Sequence, residues 1–134
     1  MRTIVAAGLL ALGVVGMQAP LDAQSGAAGD LQCTGKRVAI RYSEIKSGQL
    51  ETFRKAVAAH NAWYAAGKNG TRTTLIRVIK RSGDKTVYDD GAAMTMTVYD
   101  TKPQPPRDAA YAAFVKLYTD SSDLKEEHRG CMGG

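Results

Sequence analysis

One predicted helix concentrates the side chains that could bind a ligand or move a proton. Residues 60–64 include His60, Asn61, Trp63 and Tyr64. Histidine titrates near neutral pH and can act as a general base, whereas an amide at a cavity wall can orient a ligand. A histidine at a surface or interface and an amide bonded to a loop or a second chain are the commoner cases. We treat His60 as a candidate catalytic residue and Asn61 as a candidate ligand-binding residue.

Three tyrosines and the single tryptophan complete the candidate ligand contacts. Tyr42 and Tyr99 lie in strand-like segments, from which they could reach the same cavity. Tyr64 shares the apolar face of the predicted helix, whereas Trp63 points away from it and is expected at an interface or under a long loop. Tyrosines on half-buried strands are ordinarily core residues, so these ligand contacts are hypotheses.

Several other kinds of site are not supported. The sequence has no serine–histidine–acid set, no glycine-rich phosphate loop and no histidine pair at metal-ligand spacing. Two distant cysteines and two histidines make a poor zinc site. The net charge of +5 is spread without long basic runs, whereas nucleic-acid binding favours a dense basic stripe with interleaved aromatic residues. We expect no metal, no cofactor and no nucleic-acid partner.

The first residues have the layout of a secretory signal peptide. A lone Arg2 precedes a largely apolar stretch over residues 3–17, and small and polar residues follow. The stretch is shorter than the roughly 20 residues that a membrane-spanning helix needs, and Gln32 before Cys33 does not fit a lipidation signal. We predict a periplasmic or secreted protein with no stable membrane anchor after cleavage; an uncleaved leader is the alternative.

Small residues near the end of this leader offer two cleavage points. We expect cleavage after Ala23, which makes residues 1–23 the signal peptide, with Ala27 as the alternative. Residues 24–36 are then a flexible lead-in, and residues 37–134 form a single domain.

Two cysteines, Cys33 and Cys131, lie near the two ends of the mature chain, and the sequence has no others. An oxidising compartment favours disulfides, and a small domain is often helped by a covalent link. We predict an intramolecular disulfide. Pairing between two chains and two free thiols are the alternatives.

Hydrophobic periodicity predicts the order strand, helix, strand, strand, helix, tail. The predicted elements are a strand from Arg37 to Ser43, a helix from Gln49 to about Ala66, a strand from Thr73 to Lys80, a strand within Thr86–Asp100 and a helix from about Arg107 to Thr119.

Local patterns add detail to three of these elements. The sequence Asp89-Asp90-Gly91 predicts a bulge in the third strand. The tail after Asp120 is expected to be irregular or to form a short helix from Ser122. The second helix is expected to bury Ala110, Ala113, Phe114 and Leu117.

This order predicts an α+β fold of the ferredoxin-like split βαβ type. A helical crossover makes the first two strands parallel neighbours or near neighbours, and the hairpin adds an antiparallel strand. The plan is βαββα plus a tail, with the fourth strand missing or replaced by the tail.

Parts of the sequence resemble dimeric α/β-barrel proteins, which include the antibiotic-biosynthesis monooxygenase-like and NIPSNAP-like families. The resemblance covers residues 37–118 and rests on residues 41–48 (RYSEIKSG), Glu51-x-Phe53, residues 60–64 (HNAWY) and Val98-Tyr99-Asp100. It implies a homodimer whose sheets pack face to face, with a small apolar cavity between sheet and helices. The haem-degrading relatives place asparagine, tryptophan and histidine on different elements; here all three lie on one helix, so that site is not carried over.

Two functions from different classes fit these observations. The first is an exported domain that binds a small apolar or aromatic molecule, or a protein partner, without catalysis. The second is a cofactor-independent monooxygenase or isomerase that acts in the same cavity, with His60 as base and Asn61 as orienting group. A catalyst should turn both residues into a closed pocket, whereas a binding or structural domain should have His60 at the protein surface and a packed interior.

Overall fold

The computed structural model describes residues 32–133, and the predicted signal peptide and most of the lead-in lie outside this range. In chain order the elements are β1 (Lys36–Ile45), α1 (Leu50–Ala66), β2 (Arg72–Ser82), β3 (Lys85–Val98), α2 (Ala109–Ser121) and β4 (Ser122–Met132). In this part of the chain, neither helix is long and apolar enough to cross a membrane.

The four strands form one sheet in the order β2-β3-β1-β4, in which every neighbouring pair is antiparallel. Because β1 and β2 are each antiparallel to β3, they run parallel to each other with β3 between them. The α1 helix makes the crossover that joins them. This arrangement confirms the predicted α+β, ferredoxin-like split βαβ fold.

The tail forms a complete edge strand, so the prediction of an irregular segment or a short helix from Ser122 was wrong. Residues Ser122–Met132 pair with β1 along its whole length, with a register shift between Tyr42 and Ser43. Charged side chains on both faces of β4 conceal the alternation that normally reveals a strand. Such charges are typical of an exposed edge, where they discourage pairing with another chain.

The hairpin of β2 and β3 contains the bulge that was predicted. Arg77 pairs with Ala93, but Ile79 pairs with Tyr88, so the extra residues lie in β3 around Asp89–Gly91. Asp89 stabilises this bulge because its carboxylate accepts a hydrogen bond of 3.0 Å from the Gly91 amide. Beyond the bulge, the hairpin extends past the region that pairs with β1.

Both helices cover one face of the sheet and form two apolar clusters there. Phe53 and Val57 of α1 pack with Ile45 and Ala93 of the sheet. The second cluster joins the helices to each other and consists of Trp63, Tyr64 and Phe114, with Tyr111 and Tyr118 packed against it. Aromatic residues thus provide most of the contact between α1 and α2.

The buried face of α2 differs from the prediction. Ala110 and Ala113 are exposed, whereas Phe114 is buried and Leu117 is half-buried. The helix turns its large aromatic side chains inward because they remove more apolar surface from water than alanine methyl groups do. It begins after Asp108, whose carboxylate accepts a hydrogen bond of 3.0 Å from the Tyr111 amide.

A disulfide joins Cys33 to Cys131, as predicted, with the two Cα atoms 5.5 Å apart. The bond spans 98 positions of sequence and therefore closes a loop that contains nearly the whole domain. Cys131 lies in β4 opposite Arg37 of β1. The bond thus fixes the end of the edge strand to the segment that leads into β1.

We expect a Cys33→Ser/Cys131→Ser protein to lose about 2–5 kcal/mol of unfolding free energy, because its unfolded chain regains the entropy that the loop removes. Urea unfolding of the oxidised wild type and the variant measures the difference. Reductant should lower the unfolding free energy of the wild type to that of the variant and leave the unfolding free energy of the variant unchanged. Equal stability of the two oxidised proteins would contradict this expectation.

Candidate functional site

A cavity of about 380 Å³ lies between the sheet and the two helices. Because side chains alternate along a strand, β1 turns Arg41 and Ser43 toward it, and β3 turns Thr95 and Thr97. Phe53 and His60 of α1 and Phe114 and Tyr118 of α2 form an aromatic wall. The rim consists of the exposed residues Thr119, Asp123 and Leu124.

Short side chains on the sheet explain why this space is open. Ser43, Thr73, Thr95 and Thr97 are buried beneath the helices, and none has the volume of a leucine or phenylalanine. Thr73 and Thr97 share a hydrogen bond of 2.9 Å between their hydroxyl oxygens. The cavity therefore has a floor of hydroxyl groups and a wall of aromatic rings.

His60 is a half-buried member of the aromatic wall. Its ring stacks on Phe114, with centroids 4.2 Å apart and an interplanar angle of 17°, and on Tyr64 at 4.9 Å. Its Nδ1 lies 3.3 Å from the hydroxyl oxygen of Tyr118. Burial, together with the positive charge of Arg41, lowers the pKa of His60 to about 4. The imidazole is therefore neutral at pH 7.

Asn61 is not part of the cavity, because its amide is bonded to the backbone of β2. Its Nδ2 donates to the Thr73 carbonyl, and its Oδ1 accepts from the Thr73 amide, each at 2.8 Å. The Asn61 side chain thus satisfies both backbone groups of Thr73, as a neighbouring strand would, and links α1 to the start of β2. The geometry matches the structural alternative, an amide that bonds a neighbouring segment, and corrects the ligand-binding assignment.

Trp63 and Tyr64 hold the loop before α2 and do not line the cavity. The Trp63 indole donates a hydrogen bond of 3.2 Å to the Pro106 carbonyl, and its ring packs against Tyr111 at 5.2 Å. Burial is the main reason why the pKa of Tyr64 rises to about 12. Tyr64 therefore stays protonated and supports the ring of His60 from behind.

The two strand tyrosines also lie outside the cavity lining. Tyr42 alternates with Arg41 and Ser43, so it lies on the opposite face of the sheet beside Met94. The expectation that it reaches this cavity was therefore wrong. Tyr99 contacts the site through Arg41, whose Nη2 donates to the tyrosine hydroxyl at 3.4 Å.

Sequence reasoning missed Arg41 and Tyr118, which both line the cavity. Arg41 belongs to the positive charge that is spread along the sequence without long basic runs, and nothing in that distribution sets it apart. A signal was present: Arg41 stands between Ala39 and Ser43 on one face of β1, and no large apolar residue fills that face before Ile45. A charge flanked by small residues on a helix-facing strand indicates unfilled space.

No protein-family model matches the chain, and neither does any curated protein. Among solved structures, a candidate antibiotic biosynthesis monooxygenase from Nitrosomonas europaea is similar to it, with 20% identity and a TM-score of 0.44. The similarity covers 73% of this chain and 97% of that one. With a TM-score below 0.5 and 20% identity, this similarity carries no argument about this chain.

The lowered pKa of His60 predicts a loss of stability in acid. The unfolded chain binds a proton at this histidine below about pH 6.5, whereas the folded protein does so only near pH 4. The difference in protonation therefore does not lower the unfolding free energy at pH 7, but it lowers it by about 2 kcal/mol at pH 4.5. Urea unfolding at both values should show that His60→Gln loses less stability than the wild type.

The exposed histidine of β4 provides a matched control. His128→Gln should lose as much stability between the two pH values as the wild type, because His128 is largely exposed. Equal losses in the wild type and His60→Gln would show that burial of His60 does not disfavour its protonation.

Proposed function

We propose that this protein binds a small aromatic molecule in the cavity between its sheet and helices. The observation that carries the proposal is the cavity itself, with about 380 Å³ enclosed by aromatic rings on one side and hydroxyl groups on the other. Small-molecule sites are mostly apolar concavities of about 300–1,000 Å³ with a few placed polar groups. Phe53 and Phe114 offer ring surfaces, and the threonines offer hydrogen bonds to a polar substituent.

The same proposal places the protein outside the cytoplasm, in the periplasm or secreted. Its support is the leader-like composition of residues 1–23 and the disulfide between Cys33 and Cys131, since disulfides persist in oxidising compartments. The cavity favours a small molecule over a protein partner because the space is concave and lies beneath the helices.

A second candidate function is acid–base catalysis by a cofactor-independent monooxygenase or isomerase. The contact between His60 Nδ1 and the Tyr118 hydroxyl favours it, because a neutral imidazole on the cavity wall can accept a proton. A pKa near 4 makes the imidazole a weak base, however, whereas a general base works best with a pKa near the operating pH. Binding is therefore the better-supported function. Turnover that is lost in His60→Gln, with binding retained, would favour catalysis.

The proposal includes a homodimer formed through the outer face of the sheet, which the two helices leave uncovered. That face carries half-buried apolar side chains from the two central strands: Val38, Ile40, Tyr42, Met94, Met96 and Val98. Contiguous apolar patches of this kind mark interaction surfaces. A second copy of the sheet would cover the patch with a surface of the same composition.

Filling the cavity should abolish ligand binding. Thr95→Phe places a ring in the floor, because Thr95 is 5% exposed and lines the cavity. We expect affinity for the neutral probe 2-naphthalenemethanol to fall at least about tenfold, measured by calorimetric titration, since no room is left for the naphthalene ring. The melting temperature of each protein verifies folding.

The same substitution elsewhere in β3 supplies the control. Thr86 is exposed near the tip of the hairpin, so Thr86→Phe should bind the probe as the wild type does. Equal affinity of the probe for Thr95→Phe and the wild type would show that the cavity is not the binding site.

A charge at the centre of the outer face should separate the dimer. Ile40→Glu places a carboxylate between Met96 and His128 on the outer face, where a facing sheet would remove the charge from water at a cost in free energy. Sedimentation at tens of micromolar should show a dimer for the wild type and a monomer for Ile40→Glu. Ile79→Glu, at a 61% exposed position on the hairpin beyond β1, should remain dimeric. A monomeric wild type would refute the face-to-face dimer.

A further inference from the structure

Arg41 brings a positive charge into the wall of the cavity. Its side chain is 25% exposed, and its Nε donates to Glu127 of β4 at 2.7 Å. Arg41 and Glu127 are direct register partners on neighbouring strands, so the sheet itself sets this contact. The pair lies where the hydroxyl floor meets β4.

The two ends of the guanidinium are satisfied to different degrees. Its Nε has a short, charge-assisted bond to Glu127, whereas Nη1 reaches Thr97 and Nη2 reaches Tyr99 only at 3.4 Å each. A separation of 3.4 Å exceeds the usual range for such bonds, and both acceptors are uncharged hydroxyl groups. The Nη1 and Nη2 pair is the fork that binds a carboxylate through two parallel hydrogen bonds.

The charges around this fork leave a positive excess. Glu127 is shared, because Arg129 also donates to it at 2.8 Å, so these three residues sum to one positive charge. His60 is neutral at pH 7, and burial raises the pKa of Tyr118, which keeps that hydroxyl uncharged. The carboxylate of Asp123 stands at the exposed rim. With Asp123 counted, the four charged residues sum to zero, but Asp123 is exposed to water at the rim. The positive excess beside Arg41 itself is therefore left for an anionic group to balance.

We propose that the ligand of this cavity is an aromatic carboxylate, bound with its carboxylate on the Nη1 and Nη2 fork of Arg41 and its ring against the aromatic wall. The inference rests on the proposed binding function and adds the charge class of the ligand. The fork can hold a carboxylate or a phosphate, but a carboxylate suits the site better, because its single negative charge matches the single positive charge of Arg41, Glu127 and Arg129, whereas a phosphate monoester is nearly a dianion.

Two probes that differ only in the polar group test this inference: 2-naphthoate and 2-naphthalenemethanol. Calorimetric titration of the wild type should give a dissociation constant at least about tenfold lower for the naphthoate, as expected for a charge-assisted pair. In Arg41→Gln the naphthoate should weaken to the level of the alcohol, while affinity for the alcohol stays within about twofold. Arg54→Gln, at an exposed position of α1, should leave both affinities unchanged.

A second variant keeps the test decisive if Arg41→Gln does not fold. Glu127→Gln removes the carboxylate that competes for the guanidinium, so affinity for 2-naphthoate should rise several-fold while affinity for the alcohol stays constant. Equal affinity of the wild type for both probes, or unchanged or weaker naphthoate binding in Glu127→Gln, overturns the anchoring role of Arg41 and leaves the binding function standing. Binding of neither probe at millimolar concentration overturns both proposals.

Discussion

The stacking of aromatic rings between the two helices is the interaction on which the site depends. Phe114 of α2 lies flat against His60 of α1 and packs beside Trp63, so ring contacts join the two helices directly to each other above the sheet. Beneath the helices, the sheet carries serine and threonine side chains at positions where a filled core would have leucine or phenylalanine. Protein interiors are normally close-packed, and here the contact between the two helices holds them above the short side chains of the sheet, which leaves the cavity open.

The edge strand β4 adds charged residues to the cavity. Because β4 pairs with β1, Glu127 comes to lie opposite Arg41, and the rim residues Asp123 and Leu124 follow from the same strand. The register shift between Tyr42 and Ser43 allows one strand to serve both the charge pair and the rim. A segment with little apolar character thus contributes much of the chemistry.

The sequence predicted the topology well because periodicity and turn residues are local signals. The bulge near Gly91 and the first helix were predicted from residues adjacent in the sequence. The disulfide was predicted because the sequence has two cysteines. What could not be predicted depended on tertiary context. The β4 strand carries charges on both faces, so its sequence lacks the alternation that predicts a strand. It becomes recognisable as a strand only through its pairing with the edge of β1. Asn61 bonds to the backbone of Thr73, a partner that helix periodicity cannot identify.

The pairing of β4 with β1 also determines the order in which the molecule can be built. Among the strands that the structure describes, β1 comes first in the sequence and occupies an interior position of the sheet, and one of its two neighbours is β4, which comes last. Until β4 has been synthesised, the edge of β1 that it covers stays unpaired, and an unpaired edge is a template for association with other chains. Pairing of β1 with β4 is slow because the two strands are far apart in the sequence and a long loop must close first. The complete four-stranded sheet can therefore form only after β4 has been made.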